Sequence, residues 1–167
     1  MCKKQKRQLS RFLRPFPLET REIVLWLRDL IWDLHPDSNE LIYDNNNALA
    51  IGWSPTDKVG HTFCFIAVSH QHNSVHFGFY GCNATGLRAK WGEGNPYRYI
   101  RVSSKEGLPK EELRILLTEA YDASLSRVRG HDQIVHGQTI TKCPHMKVRR
   151  SRLRGGSGGS FGPRQAA

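Results

Sequence analysis

No apolar run of roughly eighteen residues occurs in the chain, so no segment has the composition of a bilayer span. Cysteine appears only at Cys2, Cys64, Cys82 and Cys143, with no CxxC pair, and such scattered thiols read as free cysteines in a reducing compartment. Four catalytic signatures are missing. Lys90 is followed by Trp91, so there is no Walker lysine motif, and Gly92-Glu93-Gly94 lacks the third glycine of a dinucleotide loop. Neither a Gly-x-Ser-x-Gly elbow nor a His-Glu-x-x-His helix is present, and the chain reads as non-enzymatic. The charged start through Arg7 resembles a leader, but Arg11, Arg14 and Pro15 interrupt it before any apolar stretch long enough for secretion, which predicts a cytoplasmic protein with no membrane contact.

Acid is scarce at both ends. Residues 1–14 carry six Lys or Arg and no carboxylate, whereas residues 127–167 carry nine against Asp132 alone. The net +10 therefore divides into +6 at the start, −4 over residues 15–126 and +8 at the end. This division predicts three parts: a disordered basic arm over 1–14, one compact domain over 15–127, and a basic, Gly/Ser-rich tail over 128–167. A domain of that size is near the commonest for a single core.

Within the domain, Ile23, Leu27, Leu30 and Leu34 recur at helical spacing and predict a helix from Pro17 to Leu34. Pro36 ends it, because a residue before proline is pushed out of the helical region. A second helix begins near Pro109, with Glu111 and Glu112 at its positive end and Leu113, Leu116, Leu117 and Ala120 as its stripe. Between them lie five β-rich runs: Glu40–Asp44, Ala48–Trp53, Thr62–Val68, Ser74–Tyr80 and Tyr97–Val102. Asp44-Asn45-Asn46-Asn47 and His70–Asn73 have turn composition. The fold expected is α+β: a helix, a five-stranded antiparallel sheet and a helix in a two-layer sandwich, with disordered basic tails. The run Phe63 to Val68 is apolar on both sides, which places it centrally with its second face covered.

Several short motifs in order carry a family resemblance. They are Glu40-Leu41-Ile42-Tyr43-Asp44-Asn45, Ala48-Leu49-Ala50-Ile51-Gly52-Trp53-Ser54, Phe63 to Val68, Val75-His76-Phe77-Gly78-Phe79, Trp91-Gly92-Glu93-Gly94-Asn95 and Arg98 to Val102. Over about residues 17–127 the chain resembles the YdhG-like family, a domain of unknown function. The resemblance implies a helix, antiparallel sheet and helix sandwich, usually bacterial, with no established reaction. One branch of that family is described as a frataxin-like iron chaperone, which would put iron on exposed acidic residues. Asn83-Ala84-Thr85-Gly86 departs from the family's usual leucine, proline and aspartate turn.

Three sets of candidate residues follow. A binding module for a small molecule or protein would use the outer sheet face and the Gly81–Pro96 loop, through Tyr43, Trp53, His76, Tyr80, Arg88, Lys90 and Arg98. The iron reading would use Glu22, Asp29 and Asp33 on one face of the first helix. Sequence-independent nucleic-acid binding would use Lys3, Lys4, Lys6 and Arg7 at one end with Lys147, Arg149, Arg150, Arg152 and Arg154 at the other. His131, His136, Cys143 and His145 lie close in sequence but at no common zinc spacing. Aromatic interleaving of the arms is sparse, only Phe12, Phe16 and Phe161, so base stacking is not indicated.

Overall fold

The computed structural model describes residues 9–81, 97–106, 108–130 and 136–142. Two long helices, α1 (Leu18–Leu34) and α2 (Lys110–Leu125), accompany six strands. The strands are β1 (Asn39–Asp44), β2 (Ala48–Ser54), β3 (Cys64–Ser69), β4 (Val75–Tyr80), β5 (Tyr97–Val102) and β6 (Thr139–Thr141). They form one sheet in the order β5-β4-β3-β2-β1-β6. Every pairing is antiparallel except that of β1 with β6, which is parallel.

The apolar stripes of both helices turn to the same side of this sheet. Ile23, Val24, Leu27, Leu30 and Ile31 of α1 and Leu113, Leu116, Leu117 and Ala120 of α2 share one cluster with Ile42, Leu49, Ile51, Ile66, Val68, Val75, Phe77 and Phe79. Period-2 alternation supplies the sheet's share, since Ile42, Ile51, Ile66, Phe77 and Ile100 are successive partners across five strands. The fold is α+β, with both helices packed on the inner face against the central strands.

Turn chemistry fixes the hairpins. Asn45 Oδ1 accepts the amides of Asn47 and Ala48, both at 2.9 Å, closing β1 onto β2. Asn73 takes φ 53 between β3 and β4, a left-handed conformation that asparagine tolerates.

Two boundaries differ from those expected. Residues 9–13 are helical, and Leu9 and Leu13 are 0% and 2% exposed, so the body takes in the second half of the segment expected to be a disordered arm. Leu9, Leu13 and Phe16 recur at helical spacing, which lets the chain bury them while Arg11 and Arg14 stay in water. Arg21 ties this entry down by donating to the carbonyls of Phe16 at 2.6 Å and Arg14 at 3.1 Å. Phe16 also stacks on His70 with centroids 5.1 Å apart.

The second difference is β6, which lies inside the expected tail and makes the sheet six-stranded and mixed instead of five-stranded and antiparallel. Its backbone pairing is flanked by bonds from Glu40 N to Gln138 O at 2.7 Å and from Lys142 N to Ile42 O at 2.8 Å. Beneath this pairing, Arg28 of α1 meets Glu40 of β1 in a two-bond ion pair, at 2.5 and 2.9 Å, with the side chains 1% and 0% exposed. Thr139 Oγ1 donates to the same carboxylate at 2.8 Å. One buried charge pair thus joins helix, strand and C-terminal segment.

Candidate functional site

The face of the sheet turned away from the helices is set by the same alternation. One of its rows runs Tyr43, Ala50, Ala67, His76 and Arg101 from β1 to β5, and the next runs Leu41, Gly52, Phe65, Gly78 and Tyr99. Tyr80 and Tyr97 pair beyond them. On the β1 side the face is covered: Leu41 is fully buried yet stands outside the main core cluster. Over β3, β4 and β5 it instead carries half-buried and exposed rings. Phe65 lies against Tyr80 and Tyr97 at centroid distances of 5.5 and 5.3 Å, and Tyr80 meets Tyr97 at 5.6 Å. Tyr97 neighbours Tyr99 at 6.3 Å, and His76 tilts against Tyr99 at 5.2 Å. Tyr99 is 40% exposed.

Gly78 gives Phe65 its place in a tile whose rings are tilted against one another, Tyr97 standing edge-on to Phe65 at 85° and Tyr99 inclined to Tyr97 by 40°. A Cβ at that position would fall inside the Phe65 ring, so the missing side chain is what lets Phe65 lie across the sheet. Ala50 and Ala67 keep the neighbouring floor low. Burial, and then the positive charge of Arg101, hold the His76 imidazole below its ordinary 6.5, so the ring is uncharged at neutral pH. Burial likewise raises the Tyr80 hydroxyl, helped by Tyr97, and the Tyr43 hydroxyl, helped by Tyr80, so all these rings stay neutral. The tile is therefore aromatic and uncharged, with one exposed guanidinium, Arg101, at its edge.

Of the residues expected to bind, His76, Tyr80 and Tyr43 do stand on this face. The Tyr43 hydroxyl is shielded and has no hydrogen-bond partner among the described residues. Trp53 does not belong to the face. Alternation sends it to the helix side, where it is 0% exposed in the main cluster. Arg98 also falls on the helix-facing side, opposite Phe79, because Tyr97, Tyr99 and Arg101 occupy the outer positions of β5. Arg88, Lys90 and residues 82–96 of the loop lie outside the described residues, as do Lys3, Lys4, Lys6, Arg7, Lys147, Arg149, Arg150, Arg152 and Arg154. Phe65, Tyr97, Tyr99 and Arg101 were not among the expected site residues. The signal for three of them was the strict alternation of Tyr97-Arg98-Tyr99-Ile100-Arg101-Val102.

The acidic face of α1 gives a different picture. Glu22 and Asp29 are seven residues apart, about 10 Å along a helix, too far to share one ion. Glu22 is instead bound by Lys105 at 3.2 Å. The two border an open cleft of ≈ 330 Å³ with Glu19, Ser103, Ser104 and Glu106. Among the described residues no three His, Cys, Asp or Glu side chains gather closely enough to hold a metal ion. The iron expectation therefore has no donor set on Glu22, Asp29 and Asp33. His136 is exposed, and its three candidate zinc partners lie outside the described residues. Cys64 is fully buried and its thiol is pushed well up by burial, the opposite of what a nucleophile needs. No described helix is long and apolar enough to cross a membrane.

Behind the sheet, His35 stacks on Tyr121 with centroids 4.3 Å apart and meets Phe63 edge-on at 5.3 Å. Its Nε2 is buried without a hydrogen-bond partner among the described residues. Burial lowers its pKa from 6.5, outweighing Asp122 and a bond to the Leu117 backbone that both favour the charged ring. The unfolded imidazole binds a proton near 6.5 while the folded one resists, so stability declines as pH falls through 6.5 and levels off only below the folded value. His76 adds to the decline in the same direction. Thermal melts above and below pH 6.5 should show it, and His35→Phe, which keeps the stack, should flatten the curve.

No family model, no curated protein and no solved structure matches the chain.

Proposed function

We propose that the chain is a non-enzymatic binding module of the YdhG-like kind, whose ligand lies against the outer face of β3, β4 and β5. One observation carries this reading: five contiguous rings, Phe65, His76, Tyr80, Tyr97 and Tyr99, lie side by side on the face the helices leave open. Rings of this size dominate binding surfaces because each offers a large apolar area at small entropic cost, and the tyrosines add a polar tip. A shallow tile of this kind suits a flat partner more than an enclosed substrate, and the buried Cys64 offers no nucleophile.

Amide chemical-shift mapping with a set of planar aromatic fragments tests the reading. Fragments that bind are expected to perturb β3, β4 and β5, and the Tyr80→Ala/Tyr97→Ala variant is expected to weaken them about tenfold, the effect of roughly one lost ring contact. Perturbation confined to the cleft at Glu19, Glu22 and Lys105 would count against it and favour the acidic helix face.

A further inference from the structure

The ring-bearing face and the distribution of charge together point to one class of ligand, and this inference rests on the reading just given. Eight of the fifteen carboxylates lie on the two helices: Glu19, Glu22, Asp29 and Asp33 on α1, and Glu111, Glu112, Glu119 and Asp122 on α2. The outer positions of β1 to β5 hold no carboxylate at all. Glu40 and Asp44 alternate to the other side, where Glu40 is paired with Arg28 and Asp44 with His70 at 2.9 Å. Among the described residues the domain's negative charge is thereby confined to the helix layer and the loops. The sheet side carries Arg101, and the flanking sequence carries +6 and +8 at the chain's two ends.

An uncharged aromatic tile edged by a cation and attached to strongly cationic ends is complementary to a polymer that presents flat rings on a polyanionic backbone. We infer that the outer face of β3, β4 and β5 stacks the unpaired bases of single-stranded nucleic acid. Tyr97 and Tyr99, inclined by 40°, would receive bases, with Phe65 bracing Tyr97 edge-on and Arg101 on the adjacent phosphate. Every base has a π-face, so the tile would be tolerant of sequence. The three strands span about 10 Å, room for roughly two splayed bases. A duplex keeps its bases stacked inside and cannot offer them to a flat sheet, so single strands are preferred. Basic ends on a body without such a tile would bind duplex and single strand through phosphate alone.

The test uses the full chain with fluorescein-labelled oligouridylate and oligothymidylate of roughly 12 nucleotides, within the site size usual for sheet-based single-strand binders, and a duplex of equal length. Binding is followed by anisotropy over a salt series. The expected result is tighter binding of both single strands than of the duplex. Tyr97→Ala/Tyr99→Ala should weaken it about ten- to hundredfold with the salt slope unchanged, while Tyr97→Phe/Tyr99→Phe should bind like the wild type because stacking needs the ring and not the hydroxyl. Arg101→Gln should lower the salt slope by about one phosphate contact. Oligodeoxyuridylate, which differs from oligouridylate only in lacking the 2′-hydroxyl, completes the set, and preference between these two would identify RNA or DNA as the source.

Equal loss in the alanine and phenylalanine pairs, equal binding by the alanine pair and the wild type, preference for the duplex, or no binding would each overturn the inference. Thermal melts accompany every variant, and Tyr99→Ala alone, at an exposed position of an outer strand, serves if the double variant does not fold. If planar fragments bind the face and oligonucleotides do not, the binding-module reading stands and the nucleic-acid inference fails. If neither binds, both fail.

Discussion

Glu40→Ala is expected to cost the fold about 3–5 kcal/mol, the usual effect of breaking a buried ion pair by removing one partner. Against a total stability of about 5–15 kcal/mol for a domain, that is about a fifth of the whole or more. The pair's two side chains are 1% and 0% exposed, so water cannot take over the lost bonds without opening the core. Arg28 has no protonation route to neutrality, and it would keep its full charge beneath β1. Arg28→Ala should be milder, because the carboxylate it leaves behind still accepts a hydrogen bond from Thr139. Replacing both, as Arg28→Met with Glu40→Leu, should restore stability to the wild-type level or exceed it by about 1–4 kcal/mol, since an apolar pair carries no desolvation penalty. Thr139 donates to Glu40, so the single Glu40 variant should also loosen β6, visible as faster amide exchange at Ile140 and Lys142. Urea denaturation of the three variants measures the ordering. Equal stability of Glu40→Ala and wild type would show that the pair is not closed in solution.

Much of the body was legible because its signals are strictly periodic. The stripe Ile23, Leu27, Leu30 gave α1 within one residue, and the five β-rich runs correspond to β1 to β5 with ends shifted by two residues at most. What escaped was structure with weak local signal. β6 is three residues, Thr139-Ile140-Thr141, among turn residues and charges, and it exists because β1 offers an edge and Glu40 a hydrogen bond. Arg28 stands next to Asp29 in a helix whose other charges face water, and only the tertiary approach of Glu40 makes its burial tolerable. The candidate site was half legible for a related reason. Strand alternation assigns a face to each residue, but which face the helices cover is a tertiary fact. Trp53 was read as a surface aromatic, whereas its position two residues from Ile51 sends it into the core. Tyr97 and Tyr99 share the outer side with Tyr80 and His76, whereas Arg98 between them alternates inward opposite Phe79.

Leu9→Ala with Leu13→Ala is expected to destabilise the protein by about 3–6 kcal/mol, the burial of two leucine side chains at about 1.5–3 kcal/mol each. Both leucines are at 0–2% exposure within the main cluster, beside Phe16 and over the same core as Ile23 and Leu27. A cavity penalty would push the cost higher at an internal site, but a segment at the edge of the fold has an alternative. Residues 9–14 can undock, which regains about 1 kcal/mol of backbone entropy per freed residue and caps the loss. Tryptic cleavage distinguishes the two outcomes: the Arg11–Phe12 bond should resist cutting in the wild type and yield quickly in the double variant, whereas Arg14, before Pro15, is no trypsin site in either. Unchanged stability together with unchanged cleavage would mean that the segment does not pack as described. Deleting residues 1–14 should carry a similar loss, which makes that deletion a poor probe of what the basic end contributes to binding. Substituting Lys3, Lys4, Lys6 and Arg7 by glutamine removes four positive charges while leaving Leu9, Leu13 and Phe16 in place. In the salt series this variant should lower the slope by up to about four phosphate contacts and leave the melting temperature where it was, so that charge and packing are read separately.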